Sequence, residues 1–251
     1  MNLFPIVWDN GLSVLEVGRL LQEKGIALIK AAPGDAEGRE LRHIVGRLGT
    51  AEEHDRLGRV VWDIRYDALA AAQGATASLT MEPLPFHTDG AFQNPSPRFL
   101  AQYVVREDRF GGGKTLLVEV ASVLRRLSAD TLGILRSKHF RFYAPAEYAN
   151  GIPHHDAPIL FGDGLLRYRR AIIDEDAHGG AKAVLDELDA AISAVEPTAL
   201  PLRSGDILLL DNARFLHART ELRDPERHLL RMRFSRPTRG PTAIGADSPS
   251  N

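Results

Sequence analysis

Cysteine is absent from the 251 residues, which removes disulfides, thiolate metal sites and cysteine nucleophiles at once. Any metal held here must use histidine, aspartate, glutamate or backbone oxygen. Long hydrophobic runs are missing as well: no window approaches the roughly eighteen apolar residues of a membrane span. The start, MNLFPIVWDNGLSVLEV, has no basic region leading into an apolar stretch. Nor does one sign of charge dominate. Lys and Arg total 31 against 33 Asp and Glu, a formal net charge of −2, so nothing draws the chain generally to nucleic acid or to an anionic membrane. These absences predict a cytoplasmic protein with no nucleic-acid and no membrane partner; self-association into a homo-oligomer stays open.

What is present, 44% hydrophobic and 25% charged residues, supplies ample core for one large domain or two small ones. We find no internal repeat and no linker that splits the body. The end, SRPTRGPTAIGADSPSN, is rich in Pro, Gly and Ser without periodicity. The expectation is one domain over 1–236, with a helix-rich part at 1–80, a strand-rich core at 84–236 and a loose tail at 237–251.

Apolar spacing predicts a helix in LSVLEVGRLLQEKG, ending at Gly25, then a short buried strand in IALIKA and a second helix in ELRHIVGRLG. From residue 84 short strands alternate with turns: LAQYVV, TLLVEV, HFRFYA, PILF and LLRYRR, later TALPLR, ILLLDN, RFLHART and HLLRMRF. Two helices interrupt them, ASVLRRLSADTLGILRS and a segment after Asp174 with Leu185, Leu188, Ile192 and Val195 on one face. Many short strands with few helices predict an α+β protein, a β sandwich or jelly roll backed by helices.

Within LPFHTDGAF, residues 84–92, His87 and Asp89 share a face if the segment is extended. A buried carboxylate among aromatics is costly unless it is paired or bound to a cation. The competing reading is a surface turn at Asp89–Gly90. A second histidine, His217, lies in the strand-like RFLHART, 130 residues later. Two His and one carboxylate form the facial triad of non-haem iron(II) oxygenases, and the same set can hold catalytic zinc. In HLLRMRF, alternation puts Leu229, Arg231 and Arg233 on one face and Leu230, Met232 and Phe234 on the other, so the strand offers guanidinium forks toward a cavity.

Taken together, HTD at 87–89, the GGGKT segment ending at Thr115, GDILLLDNARFLHAR at 205–219 and Arg231, fourteen residues after His217, resemble the iron(II)- and 2-oxoglutarate-dependent dioxygenases of the TauD/TfdA, clavaminate synthase-like family. The resemblance spans residues 84–236. It implies a double-stranded β-helix (jelly roll, cupin-like) core flanked by helices. It further implies that His87, Asp89 and His217 bind Fe(II), and that Thr115 and Arg231 hold the distal carboxylate of the cosubstrate 2-oxoglutarate. O2 would be the second cosubstrate, succinate and CO2 would be released, and a C–H bond of a small polar acid or amino-acid derivative, including biosynthetic intermediates, would be oxidised. Arg227 and Arg233 lie close to Arg231; Arg227 sits in the turn-like DPER, so strand position favours Arg231. Asp89 argues against the family's halogenases, in which a small residue replaces the carboxylate.

Other readings use the same triad: a redox-inactive metal hydrolase or isomerase, a non-catalytic cupin-like binding module, or a protein-directed hydroxylase. GGGKT is not a phosphate loop, because the motif's first glycine would fall at Asp108 and a strand follows it. PHHD at 153–156 reads as a surface or substrate-pocket loop. GDGLLRYRR at 162–170 reads as a hairpin turn into a basic strand, either a solvated edge or, as the resemblance implies, a region near the substrate where Arg167, Arg169 or Arg170 would meet an anionic group.

Overall fold

A computed structural model of the chain describes residues 13–30, 33–55, 57–72, 77–145, 152–177 and 179–235. The expected tail at 237–251 lies outside them. In chain order the first elements are α1 (Val14–Lys24), β1 (Ile26–Lys30), α2 (Arg39–Leu48), β2 (Thr50–Glu52), β3 (Trp62–Arg65), α3 (Ala68–Ala72), β4 (Leu84–His87), β5 (Phe99–Arg106) and β6 (Thr115–Glu119). There follow α4 (Val120–Leu124), α5 (Ala129–Ser137), β7 (Phe140–Tyr143), β8 (His154–Ala157), β9 (Leu160–Phe161), β10 (Leu165–Leu166) and β11 (Ile173–Asp174). The chain closes with α6 (Lys182–Ser193), β12 (Thr198–Leu200), β13 (Asp206–Asp211), β14 (Phe215–Arg219) and β15 (His228–Ser235).

Two antiparallel sheets position the site. The larger runs β1-β13-β5-β15-β2, with β3 also pairing β15; the smaller runs β12-β6-β14-β4. Strand β13, DILLLD, explains the layering: it is buried along its whole length, so both of its faces must be covered. Ile207 and Leu209 meet α1 and α2 through Leu21, Leu41 and Val45, while Leu208 and Leu210 face the second sheet at Leu117, Leu200 and Phe215. Helix α1 starts on a capping box between Ser13 and Glu16 and stops at Gly25, whose φ of 74° suits the left-handed turn into β1.

Several expectations change. The helix expected over ASVLRRLSADTLGILRS is two helices, because Ser128 caps α5 by accepting from the Thr131 N–H and so starts a new axis. LLRYRR is strand only at Leu165–Leu166, and PHHD forms β8 against β7 instead of a loop. Strands β2 and β3 are too short to show periodicity, and their partner is distant: they complete the larger sheet by pairing with β15. Among the described residues no helix is long and apolar enough to cross a membrane.

Leu210 lies between the two sheets at 1% exposure, so Leu210→Ala should leave a cavity and cost about 2–5 kcal/mol in chemical denaturation. A loss under about 0.5 kcal/mol, the size of an ordinary surface change, would contradict this layering.

Candidate metal centre

Strand β4 ends at His87, directly opposite His217 of β14 in the register of the smaller sheet. Their ring centroids are 4.3 Å apart. Asp89 stands in the turn that follows β4, but the turn is buried and not at the surface, which is compatible with a ligand role for Asp89. Gly90 adopts φ 60°, and a Cβ there would come within 2.4 Å of Gln93 Oε1 and 2.6 Å of Pro97 Cδ. The turn is held from outside by Asn212, whose side chain accepts from the Asp89 N–H (2.8 Å) and donates to the carbonyls of Asp89 (3.0 Å) and Pro97 (2.8 Å). Thr88 is tied to Tyr168 through the main chain at 2.7 Å and through its hydroxyl, which accepts from the Tyr168 N–H at 2.9 Å.

The Asp89 Oδ1 atom lies 3.6 Å from His87 Nε2 and 3.7 Å from His217 Nε2. One ligand atom from each of the three residues falls within 4.8 Å of the others, and all three side chains are buried. His87 Nδ1 is engaged by the Pro85 carbonyl at 2.8 Å, which leaves Nε2 directed inward; both His217 nitrogens are buried without a hydrogen-bond partner. Burial, then the neighbouring His217, pushes the His87 imidazole down to about 4. Burial alone would raise the Asp89 carboxyl, but the Arg231 and Arg233 guanidiniums outweigh it and hold the group well below the usual carboxylate range. A neutral imidazole beside an ionised carboxylate, with orphaned nitrogens facing one point, is the donor set of a divalent metal. The residues present therefore fit an iron(II) ion.

The sequence-predicted residues converge, each in a different role. Arg231 Nη1 donates to Asp89 Oδ1 at 2.9 Å, and Arg233 Nε donates to Asp89 Oδ2 at 3.1 Å. Arg233 also reaches Gln93 Oε1 at 3.1 Å. Thr115, Gln102, His217, Arg227 and Arg231 line one cavity of about 420 Å³ of empty space, partly open to solvent. Arg227 is buried although DPER does form a turn, closed by the Arg227 N–H donating to the Asp224 carbonyl. Its guanidinium packs on Gly113, where a Cβ would meet Arg227 Nε at 2.8 Å, and donates weakly to the Gly113 carbonyl at 3.4 Å. No carboxylate pairs with it among the described residues. Burial, followed by repulsion from Arg219, pulls Arg227 down to about 9, which is the electrostatic mark of a cation in want of an anion.

Sequence reading missed Asn212 and His54. Asn212 sits at the end of an apolar strand and gave no signal of its clamp on the turn. His54 is buried against the Trp62 ring, centroids 6.1 Å apart, and burial together with Arg233 and Arg231 depresses its protonation strongly. It is a neutral ring behind the arginine pair. PHHD at 153–156 does not join the triad, and among the described residues His87, Asp89 and His217 form the one metal-competent group.

Comparison with known proteins decides the affiliation. A family model described as taurine catabolism dioxygenase TauD, TfdA family matches residues 5–233. The chain belongs to this family. The L-asparagine oxygenase of Streptomyces coelicolor is 32% identical over 142 residues, 55% of this chain and 42% of that protein. Clavaminate synthase 2 of Streptomyces clavuligerus is 26% identical over 196 residues, 72% of this chain and 57% of that one. This TauD/TfdA chain thus spans about half the length of the curated relatives it matches. Among solved structures, an asparagine oxygenase in complex with Fe(II), 3-hydroxyasparagine and succinate shares the fold, with a TM-score of 0.73, 23% identity, and 88% and 77% of the two chains covered. The oxygenase OrfP with Fe and 2-oxoglutarate gives a TM-score of 0.68 at 18% identity, over 89% of this chain and 78% of that one.

His87 in the TauD/TfdA site refuses a proton that the unfolded chain accepts near pH 6.5, so the metal-free protein should lose stability as the pH falls from about 6.5 to about 4. From that gap the share of His87 is on the order of 3 kcal/mol. His87→Gln should flatten the pH dependence of urea denaturation by an amount of that order. An unchanged profile would mean that His87 is not held neutral.

Proposed function

We propose that this chain is an Fe(II)- and 2-oxoglutarate-dependent dioxygenase that hydroxylates a C–H bond of a small polar, amino-acid-derived substrate, in one oxygenase domain over 1–236 built on a double-stranded β-helix. The observation that carries the reading is the meeting of His87, Asp89 and His217 beside a cavity that also holds Thr115 and an arginine without an acidic partner. Family membership supports it, as do the asparagine oxygenase bound to hydroxyasparagine and OrfP bound to hydroxyarginine. When bound, iron with 2-oxoglutarate supplies the oxidising chemistry, in which O2 is consumed and succinate and CO2 leave.

The residues have separable tasks. His87, Asp89 and His217 would hold the metal and leave positions open on one side. Arg231 and Arg233 keep Asp89 ionised, and Asn212 and the Tyr168 main chain keep it in place. The sequence alone favoured Arg231 for the distal carboxylate of 2-oxoglutarate. The geometry supports a different division: Arg231 is engaged with Asp89, whereas Arg227 lines the same cavity as Thr115 and meets no carboxylate. We therefore place the cosubstrate's carboxylate at Arg227 and Thr115.

Anaerobic addition of Fe(II) and 2-oxoglutarate should produce a weak visible metal-to-ligand charge-transfer band, and admission of air should yield succinate. His87→Ala and His217→Ala should lose the band while remaining folded by circular dichroism. Arg227→Leu removes a charge-assisted contact of a kind that typically costs about 2–5 kcal/mol, so 2-oxoglutarate affinity should fall by well over tenfold. Arg231→Leu should weaken iron retention more than 2-oxoglutarate binding. A steep loss of 2-oxoglutarate affinity in Arg231→Leu with none in Arg227→Leu returns the role to Arg231. Metal binding by the wild type without band or succinate would favour a redox-inactive metalloenzyme.

A further inference from the structure

The segment Arg167–Arg170 runs beside the metal site, bonded to Thr88 through the Tyr168 main chain, and its side chains fall into two environments. On the outward side the charges are matched: Tyr168 donates its hydroxyl proton to Asp189, and Arg170 pairs with Asp189 at 2.9 Å, with Asp186 at 3.4 Å and with Glu175. On the inward side they are not. Arg169 lines the cavity that contains His87, Asp89, Arg231 and Arg233, and its charge is felt at His87. Among the described residues its guanidinium has neither an ion pair nor a hydrogen bond. Arg167, only 7% exposed, is held between the Phe142 and Phe161 rings and donates to the Gln93 carbonyl at 3.1 Å, again with no carboxylate. Gln93 in turn accepts from Arg233 through its side chain, so Arg167 and Arg233 meet at one residue.

The acids of this cavity are quickly counted. Asp89 is the one carboxylate among its described lining residues, and both of its oxygens are already taken by Arg231 and Arg233. The adjoining cavity, which shares Phe92 and extends past Gln93 to His154 and His155, adds none among its described lining residues. A cationic side chain entering here would find no described partner and would face three arginines, whereas a net negative charge would relieve their mutual repulsion. We infer that the substrate is a small acid of net negative charge, an acidic amino acid or a dicarboxylic acid, with one carboxylate received by Arg169. This rests on the oxygenase reading for the site and separates this chain from OrfP, whose bound hydroxyarginine carries a cationic side chain.

The test is equilibrium dialysis with L-aspartate, L-glutamate and L-malate against L-asparagine, L-glutamine and L-arginine, on wild type, Arg169→Leu, Arg169→Lys and Arg170→Leu. Each protein is used with Fe(II) and 2-oxoglutarate in the absence of O2, and again without iron. At least one acid should bind tenfold or more tighter than its neutral counterpart and than L-arginine. Arg169→Leu should lose at least tenfold of that affinity, Arg169→Lys should recover part of it, and Arg170→Leu should match wild type; unfolding midpoints show that each variant is folded. The inference is overturned if no acid is retained at millimolar concentration, if the amides or L-arginine bind as well as the acids, or if Arg169→Leu binds as wild type does. The charge-transfer band reports separately on the oxygenase reading, and the iron-free dialysis answers the charge question even if that band never appears.

Discussion

A carboxylate buried to 4% exposure and required to stay ionised is the constraint around which this molecule is arranged. Taking a carboxylate out of water costs several kcal/mol even after relaxation, and a protonated Asp89 would be a poor metal ligand. Two guanidiniums from one strand meet that demand, each bonding a different oxygen. The backbone must then bring Asp89 to the arginines and to both histidines, which a continuing strand would not do. Hence the turn at Gly90 and the clamp from Asn212, which ties the turn to the end of β13, 123 residues away.

That arrangement fixes the site's net charge. Two cations serve one anion, both imidazoles face the same point, and Arg227 and Arg169 add further positive charge nearby. A divalent metal would increase the excess. A cosubstrate with two carboxylates is a natural complement, and the unmatched inward face of Arg167–Arg170 asks for still more negative charge. The same segment neutralises Arg170 with three acids, Glu175, Asp186 and Asp189, so the unmatched charge on its other side is not a sign of a general shortage of acidic residues.

The sequence exposed those parts of the site that lie in local patterns. His87 and Asp89 are two residues apart, β15 alternates cleanly so that Arg231 and Arg233 were assigned to one face, and β13 reads as an apolar run. His217 was legible only through its company. Arg227 was harder, because a Pro-containing turn normally faces solvent; it is buried here since Gly113, from a loop more than a hundred residues earlier, leaves room for it. Helices α4 and α5 read as one element in the sequence because the apolar spacing continues across Ser128, whose capping role appears only in the structure. Strands β2 and β3 were invisible: three or four residues carry no period, and their identity comes from the partner strand.

The placement of the cations on β15 has a mechanical side. This strand is bonded to β5 along one edge and to β2 and β3 along the other, while Leu230, Met232 and Phe234 anchor its far face to the helix layer. A flexible loop could also supply arginines, but they would lose side-chain and backbone entropy each time they gripped Asp89 or a ligand. On an interior strand most of that cost is met once, at folding, by apolar contacts on the opposite face. The helices of the N-terminal segment, which contribute no residue to the triad, thereby support the chemistry: they bury the face of β15 that lets its other face carry charge in fixed positions.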